Sequence, residues 1–303
     1  MHLGNGIICP VTGIPMLAIA GAAAIYAYKK AKNDFSKDKI FSAAAAAGLV
    51  FALQMINFSI PQTGSSGHII GGILLSALIG RYAGFLAMCS ILIVQAVFFA
   101  DGGLLALGCN IFNMGVLSCF VAYPLLYKPL AKRSKPVAGA ILASVGALQL
   151  GSIAVVLEGA LSGSIAMSSV WNFTGLMQMI HIPIGLVEGI VTAAVVVAAK
   201  FASPKKLSYF LSITALILAG VISPYASQKP DGLEWSLLNI SDSVVMQTQG
   251  LLYEISQTVQ AKSAIFTGMP YTFGAIAGLF AVAAIMFATG MLLSRKMVSE
   301  NVQ

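Results

Sequence analysis

Three histidines are the residues best suited to chemistry in this 303-residue chain, and each lies in a distinctive setting. His2 directly follows the first residue, His68 lies in the segment GSSGHIIGG, and His181 comes seven residues before Glu188 in HIPIGLVEGI. Imidazole binds transition metals and transfers protons near neutral pH. The histidines therefore indicate either a metal site or a path for protons.

A histidine at position 2 can bind a metal ion together with the main chain around it. The amine of Met1, the deprotonated amide of His2 and the Nδ1 atom of His2 form two fused chelate rings, which occupy three corners of a square. His68 would supply the fourth nitrogen. Tetragonal nitrogen sites suit Cu(II) or Ni(II), and Co(II) is the next candidate. Because the nitrogen ligands must lose protons, we predict weaker binding in acid.

Other polar residues are candidates to support such a site. Asp101 lies in a tight ADGG turn, and Asn110 and Asn113 are three residues apart, which would place both amides on one face of an α-helix. These amides would either lie beside the metal or form hydrogen bonds between helices. Cys9 is the cysteine near the amino terminus, whereas the other three lie in apolar runs typical of small core residues.

His181 and Glu188 form the last candidate group. Their spacing of seven residues places them on one helix face, about two turns apart. Ionisable groups at membrane depth are costly and commonly functional. The pair could relay protons, support a bound metal or stabilise the packing of helices, and the sequence leaves these alternatives open.

The composition is that of a membrane protein. Hydrophobic residues make up 58% of the chain and charged residues only 9%, and the mean hydropathy is +0.90. Soluble proteins carry roughly 25% charged residues, so this chain could not cover a water-exposed surface. Nine segments are apolar enough to be expected in a membrane, the third of them short and rich in glycine: 10–28, 40–57, 68–80, 83–99, 104–127, 136–157, 177–199, 207–224 and 271–293.

The placement of charge predicts the orientation of these segments. With the amino terminus outside, all but Lys229 and Lys262 of the 17 basic residues fall in cytoplasmic segments, as the positive-inside rule requires. The net charge of +7 is then a topology signal, and nucleic acid is not an expected partner. His2 and His68 would both lie on the outer side. Because the first basic residues follow the first apolar run, no cleaved signal peptide is expected and Met1 should remain.

A change in composition near residues 200–208 predicts two modules. We expect residues 1–203 to form a seven-helix bundle that binds the metal. Residues 204–303 should form a two-helix transmembrane hairpin with an extracytoplasmic loop. The predicted fold is thus an all-α polytopic membrane protein.

Several motifs resemble those of a known family. MH…CP, GSSGHIIGG, VQAVFFADGGLLALGCNIFNMGV and HIPIGLVEGIVTA are similar to the cobalt/nickel-binding membrane component (CbiM/NikM type) of energy-coupling-factor ABC transporters. ISPYASQKPDGLEW resembles the small CbiN/NikN-type companion, the PDGLE module, here fused to the first module. The resemblance implies metal binding by Met1, His2 and His68. It also implies a transmembrane coupling protein and two cytoplasmic ATPase subunits as partners.

These observations predict a component that captures Ni(II) or Co(II) for ATP-driven uptake across the inner membrane of a prokaryotic cell. The metal would be cargo, and no cofactor is expected. Walker A, HExxH, GxSxG and CxxC motifs are absent from the sequence, so the chain should not be an enzyme and ATP hydrolysis should lie on separate subunits. Two alternatives are a proton-coupled secondary metal carrier using His181 and Glu188, and an intramembrane metalloenzyme. A purely structural protein would leave His2 and His68 unexplained.

Overall fold

A computed structural model describes residues 1–31 and 37–300. Lys32, one of the expected cytoplasmic charges, and residues 301–303, the end of the expected second module, lie outside the described residues. The fold is almost entirely helical, and its short strands β1 (Phe58–Ser59) and β2 (Ser66–Gly67) pair antiparallel. The predicted all-α class of membrane protein is confirmed.

Twelve α-helices follow one another in the described chain: α1 (Pro10–Lys30), α2 (Lys37–Gln54), α3 (Gly72–Ile79), α4 (Arg81–Phe98), α5 (Leu107–Asn110), α6 (Lys128–Lys132), α7 (Pro136–Leu161), α8 (Val170–Lys200), α9 (Pro204–Ile217), α10 (Gly232–Leu238), α11 (Leu251–Ser263) and α12 (Tyr271–Glu300). A π-helical stretch, Ile111–Tyr127, joins α5 to α6, and a shorter one, Leu218–Ile222, extends α9. These π-helical stretches continue the helices across the two membrane segments to which they belong.

Seven helical segments of the described chain are long and apolar enough to cross a membrane: Pro10–Lys30, Arg81–Phe98, Leu107–Lys132, Pro136–Leu161, Met167–Lys200, Pro204–Tyr225 and Tyr271–Ser294. A shorter apolar helix, Lys39–Gln54, matches the second expected span. All these segments were anticipated from hydropathy alone. The structure thus follows the expected pattern for eight of the nine segments.

The third expected span, 68–80, is wrong as a continuous helix. Residues 68–71 are not helical, and α3 has only eight residues, a length of about 12 Å. The helix cannot begin earlier because Gly71 adopts a left-handed conformation, with φ of 79°. The non-helical segment carries His68, so this departure from the expected span creates the setting of one candidate ligand.

The second module packs along the first. Helices α9 and α12 both contact α2, and a side chain at Gly278 of α12 would overlap the ring of Phe51. Phe51 itself is fully buried. Small residues at helix contacts permit this close approach where lipid provides no hydrophobic driving force. The hairpin is therefore part of one helical bundle with the first module.

The first nine residues lie at the end of the bundle where several loops meet, and each of them is buried or partly buried. Leu3 is fully buried, Gly6 O accepts a 2.6 Å hydrogen bond from Gln247 N, and Ile7 O accepts one of 2.6 Å from Ser164 Oγ. The donors come from the loop before α8 and the loop between α10 and α11. The amino terminus thus lies beneath loops of both modules.

Candidate metal centre

The amino terminus and two of the three histidines meet at this end of the bundle. Met1 is buried, and the rings of His2 and His68 stack with centroids 5.1 Å apart and planes inclined by 20°. His2 Nδ1 lies 3.5 Å from Asp101 Oδ1, while His2 Nε2 is buried without a hydrogen-bond partner. Chelation through Nδ1 would therefore require the His2 ring to turn this nitrogen from Asp101 towards the amine.

The ring of His68 is set up as a nitrogen donor. Its Nδ1 donates a long, 3.4 Å hydrogen bond to Ile69 O, because a carbonyl oxygen can only accept. The proton on Nδ1 leaves Nε2 with a free lone pair. Main-chain contacts of this kind commonly orient histidines that bind metals. His68 Nε2 is thus the atom of this side chain that could bind an ion.

Burial keeps both histidines neutral. Removal from solvent, followed by the positive charge of the nearby amine, lowers the pKa of His2 from 6.5 to about 3. The same two causes, together with His2, lower the pKa of His68 to about 3. Each imidazole therefore retains a lone pair at neutral pH, which a metal ligand requires.

Asn110 anchors the terminal segment just after His2. Its Oδ1 accepts a 2.8 Å hydrogen bond from Leu3 N, and its Nδ2 donates one of 3.1 Å to Leu3 O. One side-chain amide thereby pairs with the two polar groups of one residue, as a neighbouring strand would. The clamp joins residues 107 positions apart and fixes the main chain next to the proposed chelate.

The ADGG turn lies directly against the terminal segment. Gly103 N donates a 2.9 Å hydrogen bond to Leu3 O, and a side chain at Gly103 would come within 2.6 Å of Asn5 N. Gln260 of α11 secures the turn from the other side, since its Nε2 donates to Gly102 O at 2.7 Å and to Ala96 O at 2.8 Å. The Gln260 Oε1 atom accepts from Asn5 Nδ2. Helix α11 of the second module therefore holds both the turn and the terminus.

Glu188 positions the segment that carries His68. Its two carboxylate oxygens accept hydrogen bonds from Ile70 N at 2.8 Å and Gly71 N at 3.2 Å. These amides precede α3 and have no partners within a helix. Glu188 thus holds the main chain of the residues immediately after His68.

His181 lies beside the centre and is also held by the main chain. Its Nδ1 donates a 2.7 Å hydrogen bond to Met177 O. It lines a small cavity together with Met1, His68 and Asp231. The geometry gives His181 a place at the edge of the site and Glu188 a supporting contact.

Two candidates have other partners. Asn113 Nδ2 donates a 2.7 Å hydrogen bond to Glu158 Oε2, and Cys9 Sγ lies 3.7 Å from Thr12 Oγ1 at the start of α1. Asn113 lies in the π-helical stretch Ile111–Tyr127. Its bond to Glu158 of α7 is a hydrogen bond between helices, one of the two roles expected for the asparagines. A supporting role of Asn113 or Cys9 at the candidate metal centre stays a prediction.

Asp231, in the PDGLE sequence of the second module, is the residue that sequence reasoning missed. Its Oδ2 forms a 2.9 Å ion pair with the amine of Met1 and lies 4.0 Å from His68 Nε2. Burial acts to raise the pKa of Asp231, but the positive amine, His68 and the hydrogen bonds from the amine and Glu234 N together outweigh it and hold this pKa below the usual range. The PDGLE sequence was the available signal, although nothing in it indicated which residues it would contact.

A cavity of about 380 Å³ opens beside this cluster. Its lining includes His2, His68, Asp101 and Asp231, together with residues 266–269 at the base of the second-module loop. Among the described residues, no group of three or more His, Cys, Asp or Glu side chains is placed to hold a metal ion. A metal centre here would therefore need nitrogens of the main chain.

Comparisons with known proteins agree with this architecture. Residues 2–206 match the family described as "Cobalt uptake substrate-specific transmembrane region" (CbiM), and residues 205–295 match the PDGLE domain. A relative in Archaeoglobus fulgidus, described as a fused nickel transport protein NikMN, is 36% identical over 198 residues. That alignment covers 62% of this chain and 65% of the relative, slightly less than two thirds of its length.

Two further comparisons cover the first module. The cobalt transport protein CbiM of Sorangium cellulosum is 32% identical over 206 residues, which are 64% of this chain and 88% of that protein. A crystal structure of a truncated transition metal transporter superimposes with a TM-score of 0.58 at 29% identity, over 66% of this chain and 99% of the other. The chain therefore belongs to the CbiM family of metal transport membrane proteins, not to a family of enzymes, and carries a PDGLE domain after the CbiM region.

Proposed function

We propose that this protein captures Ni(II) or Co(II) at the extracytoplasmic face of a prokaryotic cell membrane. The ligands are the amine of Met1, the amide and Nδ1 nitrogens of His2, and Nε2 of His68. The observation that carries the proposal is a buried amino terminus beside two stacked, neutral imidazoles. Tetragonal nitrogen donors favour these metals over Mg²⁺ or Ca²⁺.

The ion is cargo, and its movement is driven by ATP. A transmembrane coupling protein and two cytoplasmic ATPase subunits supply the energy. The distribution of charge supports a site on the extracytoplasmic side. Basic residues occupy the end of the bundle opposite the candidate site, as in the last turn of α1 and of α8. Residues 1–203 act as the binding module and residues 204–303 as its companion.

The two rival functions have less support. A proton-coupled carrier would need His181 and Glu188 free to exchange protons, yet both are held by main-chain hydrogen bonds. An intramembrane metalloenzyme would need a substrate cavity with catalytic groups around the ion. The proposed function gives a direct role to the amino terminus and to both stacked histidines.

A metal titration with two matched variants tests the binding site. One variant carries three additional residues before Met1, and the control carries the same three residues at the carboxyl end. Extension of the amino terminus replaces the amine by an amide and should reduce the affinity for Ni(II) by at least tenfold, whereas the control should bind as the unmodified protein does. Equal affinity of the two extended proteins would refute the amino-terminal site.

Uptake measurements test the source of energy. Cells that produce the protein with the coupling and ATPase subunits should accumulate ⁶³Ni, and a variant ATPase unable to hydrolyse ATP should abolish this accumulation. A protonophore should have little immediate effect while cellular ATP is maintained. Accumulation that continues without active ATPase but collapses with the proton gradient would support the secondary carrier instead.

A further inference from the structure

We propose that Asp231 of the second module is itself a ligand of the transported ion and provides an oxygen donor beside the four nitrogens. This inference rests on the proposed function. It gives the aspartate of the PDGLE sequence a direct role in metal binding. The residue would bind the amine in the empty site and the metal in the loaded one.

Asp231 Oδ2 lies next to nitrogens that would bind the ion. Metal–nitrogen and metal–oxygen bonds of about 2.0–2.2 Å place two adjacent donors about 2.9 Å apart, and a fifth donor above a square of four nitrogens is adjacent to all of them. Oδ2 already lies 2.9 Å from the amine nitrogen, and it lies 4.0 Å from His68 Nε2. Loading of the site therefore requires the His68 ring to approach Oδ2 by about 1 Å, besides the turn of the His2 ring. An ion that replaces the ammonium protons facing Oδ2 would then have this oxygen within bonding distance.

The charge of Asp231 is needed in both states of the site. In the empty site it faces an ammonium group with one positive charge. When M²⁺ binds, the ammonium and the amide each release a proton, and the ion together with the amide anion again carries one positive charge. Asp231 is largely buried, with 15% of its side chain exposed, and a buried charge requires a partner of opposite sign. The same carboxylate thus balances the site before and after loading.

The second module holds Asp231 rigidly at this position. Asp231 caps α10 by accepting from Glu234 N at 2.8 Å, and the Glu234 side chain accepts from Asp231 N at 3.2 Å. Pro230 O accepts from Ser66 N at 2.8 Å, two residues before His68. A side chain at Gly232 would lie 3.3 Å from His181 Nε2, so glycine permits the close approach to α8. A fixed carboxylate of this kind is suited to bind an ion.

The substitution Asp231→Asn tests the proposal with little change in shape. Asparagine also caps helices well, so the variant removes the charge and keeps the cap. The matched control is Asp242→Asn, the same change at an exposed position of the same loop. X-ray absorption of the Ni(II)-loaded full-length protein should show five nitrogen or oxygen neighbours, without the edge feature of a square-planar ion, in the unmodified protein and in the control. The Asp231→Asn variant should show four nitrogens in a square plane and at least tenfold weaker binding.

Two additional measurements make each outcome decisive. Asp231→Glu retains a carboxylate and should restore the fifth neighbour, even where the asparagine variant proves unstable. The amino-terminally extended protein serves as a reference for loss of the whole site. If extension abolishes binding while Asp231→Asn leaves coordination and affinity unchanged, the nitrogen site stands and the role of Asp231 is refuted. If extension also has no effect, the proposed function itself fails.

Discussion

The clamp between Asn110 and Leu3 permits a quantitative test of how the terminal segment is held. In Asn110→Ala, Leu3 O keeps the hydrogen bond from Gly103 N, but Leu3 N–H loses its acceptor in a fully buried position. A buried donor without a partner costs about 1–3 kcal/mol. The metal-free variant can release this group to water by detaching its terminal segment, whereas metal binding requires the segment to dock again. The affinity for Ni(II) should therefore fall by about 5- to 150-fold.

Competition against a chelating dye, with purified protein in detergent, measures this loss. Asn113→Ala is the matched control, because it removes the same side chain three residues away but affects the bond to Glu158 and not the terminal segment. The control should lower the melting temperature and leave the affinity within about twofold. An Asn110→Ala variant that binds as tightly as the control, with its terminal segment equally protected from proteolysis, would contradict the reasoning.

Two other predictions concern the surroundings of the histidines. Glu188→Gln places an amide N–H₂ against Ile70 N or Gly71 N, so it should displace the segment that carries His68. We expect Ni(II) binding to weaken by about tenfold. Glu158→Gln, at a buried carboxyl elsewhere, should leave the affinity unchanged, and dye competition on both variants measures the difference. The metal-free protein should lose stability as the pH falls from 6.5 towards 3, because His68, with a pKa of about 3 when folded, binds a proton only when unfolded. The free energy of unfolding should change by at most about 1.4 kcal/mol per pH unit for one histidine. Melting curves of His68→Gln should show a shallower dependence on pH. An unchanged dependence would argue against a neutral, buried His68.

Much of the fold was predictable because hydropathy and charge are local properties of the sequence. The apolar segments needed only their own residues. The prediction that His2 and His68 lie on the outer side rests on the distribution of lysine and arginine. The segment 68–80 departs from its expected span because a left-handed glycine and the distant carboxylate of Glu188 determine where α3 begins. Such a contact across more than a hundred residues has no local pattern.

Prediction of the candidate site is limited in the same way, because its residues meet across long distances in the sequence. The pairing of His2 with His68 was anticipated from topology and family resemblance, and their role as ligands stays a prediction. Asn110 and Asn113 are three residues apart, yet their partners, Leu3 and Glu158, lie in different parts of the chain, so spacing alone could not predict which group each amide contacts. Asp231 could not be found from spacing at all, since 230 residues separate it from the amine that it contacts.

The hold of Gln260 on the ADGG turn has a consequence for how the two modules come together. Companion modules on separate chains must meet by diffusion in the membrane, and their local concentration depends on expression. Here the Asp231 and Gln260 contacts form within one chain, at an effective concentration on the order of millimolar. Every copy is thus made with its companion in a one-to-one ratio, and the completeness of the site does not depend on how much protein the cell makes.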